Sequence, residues 1–137
     1  MMEKNAASRG LAAEILGMGH FAVFGASDRE DDVGCRIVNR LKKAGYKAYP
    51  INPRIAEIGS MRCYGTLDEL PVVPQVIVVA LPPEPALEVI KSGVAHGVRR
   101  FWIQPEAGSD DVLTYVSENG LSVVHSQCLH DELGKRS

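Results

Sequence analysis

Residues 21–34, Phe-Ala-Val-Phe-Gly-Ala-Ser-Asp-Arg-Glu-Asp-Asp-Val-Gly, decide the fold of this chain. An apolar run leads into a turn at Gly25, and a helix is predicted to start at Val33-Gly34. At such a start the first N–H groups lack intrahelical acceptors and lie at the positive end of the helix dipole, so they bind phosphate with little help from side chains. The stretch predicts a nucleotide-binding α/β fold in which the phosphates lie against Gly25, Ala26, Ser27, Val33 and Gly34.

Composition predicts a single domain that binds its ligand locally. With 137 residues, 45% of them hydrophobic, the chain is long enough to bury about 70% of its unfolded surface around one core. We expect residues 1–137 to form one domain, with a leading helical segment at 1–19 and a C-terminal tail at 126–137. A net charge of −2 provides no field that favours nucleic acid or an anionic membrane, so we expect neither as a partner.

The sequence carries no signal for export, disulfide bonding or metal binding. Its three cysteines, Cys35, Cys63 and Cys128, are odd in number and include no Cys-x-x-Cys pair, which argues against a disulfide framework or a zinc site. The N-terminus has no apolar signal core, and the strongest apolar run, Val76 to Leu81, is far shorter than the roughly 20 residues of a membrane span. We expect a cytoplasmic protein.

Short apolar runs alternate with amphipathic stretches about every 25 residues, which is the spacing of βαβ units. Most runs are apolar at consecutive positions, as is typical of strands covered by helices on both faces. The predicted strands are Phe21–Phe24, Lys47–Ile51, Val76–Ala80, Arg100–Ile103 and Leu121–Val124. Gly45, Gly97 and Gly120 directly follow the helical stripes, where a left-handed residue ends a helix. The expected fold class is α/β: a Rossmann-like doubly wound sheet, mainly parallel, of about five strands with helices on both faces.

The second strand and the segment after it are the least regular part of the pattern. Pro50 lacks the N–H that a strand ladder uses, so we expect it to mark the end of that strand. Residues 53–74 contain several glycines and prolines, and a short turn is predicted at Leu67 to Leu70.

The ligand crevice of a doubly wound sheet lies beyond the carboxyl ends of the strands, near the point where strand order reverses. Four segments are expected to converge there: Gly25-Ala26-Ser27, Asn52-Pro53-Arg54, Leu81-Pro82-Pro83 and Gln104-Pro105. Pro82 and Pro83 form either an apolar wall for the ligand or a simple strand exit. The Gln104 amide either hydrogen-bonds the ligand or stands in a plain turn.

The turn after the first strand differs from the dinucleotide fingerprint Gly-x-Gly-x-x-Gly, because Ser27 and Glu30 replace its second and third glycines. A standard NAD site is therefore disfavoured, whereas Ser27 adds a hydroxyl donor to its backbone N–H. Carboxylates in the loop oppose phosphate binding unless they point to solvent; they belong to Asp28, Glu30, Asp31 and Asp32. The alternative is that the glycine of this turn only permits a tight change of direction.

Arg54 follows the second strand, where NAD enzymes usually place an acidic residue that binds the adenosine ribose. A guanidinium at this position suits a ribose that carries a phosphate, because it offers several donors and stays charged. Coenzyme A carries a 3′-phosphate and NADP a 2′-phosphate. The alternative is a solvated surface arginine.

The order and spacing of six stretches are similar to those of a known family. They are VFGAS at 23–27, GCRIVNRLKKAGYKAYPINPR at 34–54, YGTLDELP at 64–71, VVALPPE at 78–84, FWIQPEAGS at 101–109 and VVHSQC at 123–128. On these stretches the chain resembles the small stand-alone coenzyme A-binding proteins, whose fold also forms the N-terminal domain of the succinyl-coenzyme A synthetase alpha subunit. The resemblance implies that Gly25 to Ser27 and Gly34 hold the diphosphate of coenzyme A, that Arg54 lies near its 3′-phosphate, and that Pro82-Pro83 lines the crevice.

The chain departs from this family at two places. Glu106 stands where members often have glycine, and Ser126-Gln127 stands where they often have Asp-Arg. The phosphorylated histidine of the synthetase belongs to a second domain that this sequence does not match, so the resemblance does not imply ligase activity. The remaining candidates for catalysis or metal binding are gathered near the C-terminus, and we expect them to be incidental; they are His125, Cys128, His130, Asp131 and Glu132.

The sequence thus predicts non-catalytic binding of coenzyme A or an acyl-coenzyme A, acting with a protein partner or as a homo-oligomer. The alternative is a component of an NADP-dependent oxidoreductase or of another nucleotide-dependent enzyme, in which Arg54 reads the 2′-phosphate. A third alternative is a structural subunit whose crevice no longer binds a ligand.

Overall fold

The computed structural model describes residues 13–27, 29, 32–58, 60–125 and 129. Its centre is a sheet of five parallel strands in the order β2-β1-β5-β6-β7. These strands are β1 (His20–Phe24), β2 (Lys47–Ile51), β5 (Val76–Val79), β6 (Arg100–Ile103) and β7 (Ser122–His125). A separate antiparallel pair is formed by β3 (Glu57–Ile58) and β4 (Met61–Arg62).

Three helices connect the strands of the parallel sheet. They are α1 (Val33–Lys43), α2 (Pro83–Ala95) and α3 (Asp110–Glu118). The Ser109 hydroxyl caps α3 by accepting from the N–H of Val112 at 3.2 Å, and Asp110 and Asp111 add negative charge to the first turn, where the helix dipole favours it. Two short 3-10 turns cover Leu67–Glu69 and Pro105–Ala107, and residues 13–16 are helical.

The strand order places the helices on opposite faces of the sheet. After β1 the chain moves outward through α1 to β2, and it then returns to β5 on the other side of β1 and continues through α2 and α3. Because parallel crossovers are right-handed, reversing the direction of travel puts α1 on one face and the other two helices on the opposite face. The reversal lies between β1 and β5.

Each face of the sheet has its own apolar core. On one face α1 packs Ile37 and Leu41 against a layer that includes Phe21 and Trp102, all with no exposed surface. On the opposite face the buried side chains of α2 and α3 pack against Ile77 and neighbouring strand residues. Burial of a side chain of this size stabilises the fold by about 1.5–3 kcal/mol, so the two layers hold the strand order in place.

The expected fold class is confirmed, and each predicted strand lies within one residue of an observed one. β2 ends at Ile51, as predicted, one residue after Pro50, which lies within the strand opposite Val23. β2 is an edge strand, and the Pro50 carbonyl accepts from the N–H of Tyr64 at 2.9 Å on the side away from β1. The missing N–H of Pro50 therefore points away from β1, and its absence removes no bond between the two strands.

A contact between His96 and Asp68 ties the 3-10 turn at Leu67–Glu69 to the end of α2. His96 Nε2 lies 2.8 Å from Asp68 Oδ1, and its Nδ1 lies 2.8 Å from the Ser92 carbonyl. The Ser92 carbonyl, followed by the Asp68 carboxylate, raises the pKa of His96 above its ordinary value, because the protonated ring donates to both acceptors. The contact is complete below the unfolded pKa of about 6.5 and weakens as the pH rises through the higher folded value.

We predict that Asp68→Asn lowers the pKa of His96, as measured by NMR titration of the imidazole protons. The amide at position 68 no longer provides the negative charge that favours the imidazolium. Glu69→Gln is the matched control, since that carboxylate accepts from the Thr66 hydroxyl at 3.5 Å and is not among the groups that raise the pKa of His96. A His96 pKa that stays unchanged in Asp68→Asn contradicts the assignment of this contact.

Candidate functional site

The candidate site is the crevice at the carboxyl ends of β1 and β5, where the strand order reverses. Gly25 directly follows the last residue of β1 and has a φ of 96°. A Cβ on Gly25 would collide with the backbone carbonyl of Ala80, which directly follows β5. The loops after β1 and β5 are therefore in close contact at Gly25, where there is no room for a side chain.

The start of α1 lies directly on this first loop. Gly34 is buried in the first turn of α1, and a Cβ there would collide with the carbonyl of Gly25 and approach the N–H of Ala26. A glycine at position 34 lets the helix come close to the loop, as the third glycine does in dinucleotide-binding turns. This packing brings together the predicted phosphate-binding segments Gly25–Ser27 and Val33-Gly34.

Asp32 caps α1, and sequence reasoning did not assign it this role. Its Oδ1 accepts from the N–H of Gly34 at 3.1 Å, and its Oδ2 accepts from the Ser27 hydroxyl at 2.6 Å. The Ser27 hydroxyl, predicted as a donor to the ligand, is thus engaged within the chain. The signal was present, because aspartate is a preferred N-cap residue and Asp32 directly precedes the predicted helix start.

The loop after β2 is joined to the loop after β1. The Asn52 side-chain amide donates to the carbonyl of Ala26 at 2.9 Å, and its Oδ1 accepts from the backbone N–H of Arg54 at 2.9 Å. The second bond forms a turn in which Pro53 and Arg54 are exposed. The Arg54 guanidinium makes no hydrogen bond or ion pair with any residue that the structure describes.

The loop after β5 forms the opposite wall of the crevice. Leu81 is partly buried against the core, Pro82 is exposed, and Pro83 is the first residue of α2. The Pro82 carbonyl accepts the first helical bond from Ala86 at 3.0 Å. Pro82 is the cap of α2 and Pro83 is its first residue, where the N–H that proline lacks would have no partner within the helix. The exposed ring of Pro82 provides apolar surface at the rim.

Gln104 lies at the same sheet edge, but its side chain points inward. It is 1% exposed, and its Oε1 accepts from the backbone N–H of Leu129 at 2.9 Å. A contact of this amide with ligand stays a prediction; in this conformation its oxygen holds the chain after β7. A second depression lies beyond β6 and β7, and His125 stands exposed beside it.

Several sequence predictions concern residues outside the described part of the chain. They include the acidic residues Asp28, Glu30 and Asp31, the Ser126-Gln127 pair, and the C-terminal candidates Cys128, His130, Asp131 and Glu132. None of the described helices has the length and hydrophobicity that a membrane span requires.

A family model described as CoA binding domain matches residues 19–133, which include all seven strands and the helices α1 to α3. The chain belongs to this family. The match confirms the family recognised from the sequence and supports coenzyme A as the ligand of this CoA-binding domain. No comparison with known proteins supports NADP.

Relatives of the CoA-binding domain occur inside larger ligases. It is 31% identical over 103 residues to an acetate-CoA ligase (ADP-forming) of Methanocaldococcus jannaschii, an alignment that covers 75% of this chain and 14% of the ligase. It therefore spans about a seventh of the length of that curated relative. The domain is related to the CoA-binding region of such ligases.

Solved structures show the same arrangement both in a small protein and within an enzyme. A conserved hypothetical protein of Pyrococcus furiosus is 32% identical with a TM-score of 0.78, and the match covers 83% of this chain and 98% of that one. The dinucleotide-forming acetyl-coenzyme A synthetase 1 of Ca. Korarchaeum cryptofilum is 25% identical with a TM-score of 0.63, covering 75% of this chain and 25% of that one. The fold thus occurs in chains of both sizes.

We predict that Gly25→Ala destabilises the CoA-binding domain more than Gly45→Ala. Both glycines have a φ of 96°, so alanine is strained at either position. Only Gly25 is also confined, because a Cβ at Gly45 meets no atom within 4 Å. Urea unfolding should show a loss of about 1–2 kcal/mol for Gly45→Ala and a further loss of about 1–3 kcal/mol for Gly25→Ala. Equal losses in the free energy of unfolding would mean that the contact with Ala80 does not exclude a side chain at position 25.

Proposed function

We propose that this chain binds coenzyme A or an acyl-coenzyme A reversibly, without catalysing a reaction on it, and presents the bound state to a protein partner. The diphosphate lies at Gly25–Ser27 and the start of α1, and the 3′-phosphate lies at Arg54. The observation that carries the proposal is the joining of the loops after β1, β2 and β5 at the switch point, within a chain of the CoA binding domain family.

The first loop supports the diphosphate position because its backbone donors are close together. Gly34 and Gly25 pack without side chains between them, so the first turn of α1 lies close to the backbone of Gly25 and Ala26. The helix dipole adds partial positive charge at this end. Apart from the cap residue Asp32, the first turn of α1 contains no acidic residue that would oppose this charge.

Arg54 supports the 3′-phosphate position because its guanidinium is available. The Asn52 side chain bonds both the Ala26 carbonyl and the backbone N–H of Arg54, so the backbone of Arg54 is held next to the first loop. An exposed guanidinium with no partner in the described chain gives up no existing ion pair when it binds phosphate. Its planar fork of donors matches two phosphate oxygens at once.

The apolar wall at Leu81 and Pro82 suits the less polar parts of coenzyme A, which are the adenine ring and the pantetheine arm. The described polar side chains of the first two loops are those of Ser27, Arg29, Asp32, Asn52 and Arg54. They include no thiol or imidazole, and the carboxylate that accepts from the Ser27 hydroxyl also caps α1, so these loops support binding of an anion better than nucleophilic catalysis. The matched share of the ligases, 14% of the length in the Methanocaldococcus jannaschii enzyme, supports a role in binding rather than in the complete reaction.

We predict that coenzyme A and acetyl-coenzyme A raise the melting temperature of the chain, whereas NADP at the same concentration does not. A ligand at about 100 times its dissociation constant stabilises the folded state by about 2.7 kcal/mol. The measurement is a thermal-shift series with each compound at equal ionic strength. A larger shift with NADP would favour the oxidoreductase alternative, and no shift with any compound would support a structural role for the chain.

We predict that Arg54→Ala weakens binding of coenzyme A by about tenfold to a hundredfold and leaves binding of dephospho-coenzyme A nearly unchanged. A charge-assisted contact with phosphate contributes about 1.5–3 kcal/mol, and only coenzyme A carries the 3′-phosphate. Isothermal titration calorimetry with both ligands measures the difference.

The matched control for this variant is Arg99→Ala, which removes the same charge just before β6, at the amino edge of the sheet. Binding of both ligands should be unaffected in the control. If Arg54→Ala weakens both ligands equally, or neither, Arg54 does not read the 3′-phosphate.

A further inference from the structure

The donors proposed for the diphosphate are already engaged by a carboxylate of the same chain. Asp32 Oδ1 accepts from the N–H of Gly34 at 3.1 Å, and Asp32 Oδ2 accepts from the Ser27 hydroxyl at 2.6 Å. The Ser27 oxygen in turn accepts from the N–H of Arg29 at 3.2 Å. An anion that takes the Gly34 N–H and the Ser27 hydroxyl must therefore displace Asp32.

We propose that Asp32 is an internal competitor of the ligand, and that its carboxylate must leave the start of α1 before the diphosphate of coenzyme A can bind there. The inference rests on the proposed function and adds an affinity-determining residue to it. Asp32 does not contact coenzyme A in the bound state. It sets the part of the binding free energy that is needed to displace its carboxylate from the start of α1.

Exchange of the two anions is physically reasonable because Asp32 is not deeply buried. Both Asp32 and Ser27 are partly exposed, so the released carboxylate is hydrated at once. A diphosphate carries more negative charge and more acceptor oxygens than one carboxylate, and it therefore gains more from the same N–H groups and helix dipole. The ligand replaces the cap instead of leaving the helix start uncapped.

Competition of this kind lowers the apparent affinity by the fraction of molecules in which the site is open. It acts on any ligand that carries the diphosphate, whether or not the 3′-phosphate is present. Competition by Asp32 also predicts that alanine and asparagine at position 32 change the affinity for the ligand by different amounts. Alanine removes the carboxylate and all its hydrogen bonds, whereas asparagine removes the charge but keeps an oxygen that accepts from the Gly34 N–H.

The test is isothermal titration calorimetry of coenzyme A and dephospho-coenzyme A with the wild-type chain, Asp32→Ala and Asp32→Asn. We expect Asp32→Ala to lower the dissociation constant of both ligands by about fivefold, which corresponds to loss of one helix cap. Asp32→Asn should gain less, because its amide still occupies the helix start. Asp111→Ala is the matched control, since it removes an exposed aspartate from the first turn of α3 and should leave both constants unchanged.

Each outcome separates this inference from the proposed function. If no chain binds either ligand, the proposed function fails and the inference fails with it. If the wild type binds and Asp32→Ala binds no more tightly, the competition is overturned while the binding function stands.

Two further results would also overturn the competition. Equal gains in affinity for the alanine and asparagine variants would show simple charge repulsion. A gain restricted to coenzyme A would place Asp32 at the 3′-phosphate. Asp32→Asn, which keeps the cap, covers the case in which the alanine variant does not fold.

Discussion

The site depends on the close approach of three backbone segments at the switch point of the sheet. Gly25 lies against the carbonyl of Ala80, and Gly34 lies against the carbonyl of Gly25, with no room for a side chain at either contact. The start of α1 is thereby held over the carboxyl ends of β1 and β5. Because interiors are close-packed, even one methyl group at these contacts would move the helix start away from the loop.

This geometry also concentrates positive potential at one point of a chain whose net charge is −2. The first N–H groups of α1, the positive end of its dipole and the exposed residue Arg54 lie at the first two loops. The chain balances part of this potential with Asp32, which stabilises the helix and occupies its donors. Stability of the helix start and affinity for an anionic ligand are therefore opposed at the same atoms.

Much of the fold followed from local sequence patterns, while several details of the site did not. The apolar runs placed each strand within one residue, because a strand buried on both faces is apolar at consecutive positions. The direction in which Pro50 lacks an N–H was not predictable, because it depends on β2 being an edge strand and on its contact with Tyr64. The inward position of the Gln104 amide was not predictable either, since its partner is the backbone of Leu129, far along the chain.

Local patterns in the amino-acid sequence are sufficient for the α/β class, the start of α1, the glycines that follow the three helices and the loops of the candidate site. These follow from periodicity, caps and turn residues, which act over a few neighbouring positions. The contacts between loops, the link from Asn52 to the first loop and the bond between the Ser27 hydroxyl and Asp32 are visible only in the folded chain. Such contacts depend on strand order and on the path of the loop backbone, because a side chain finds its partner only after distant segments have packed together.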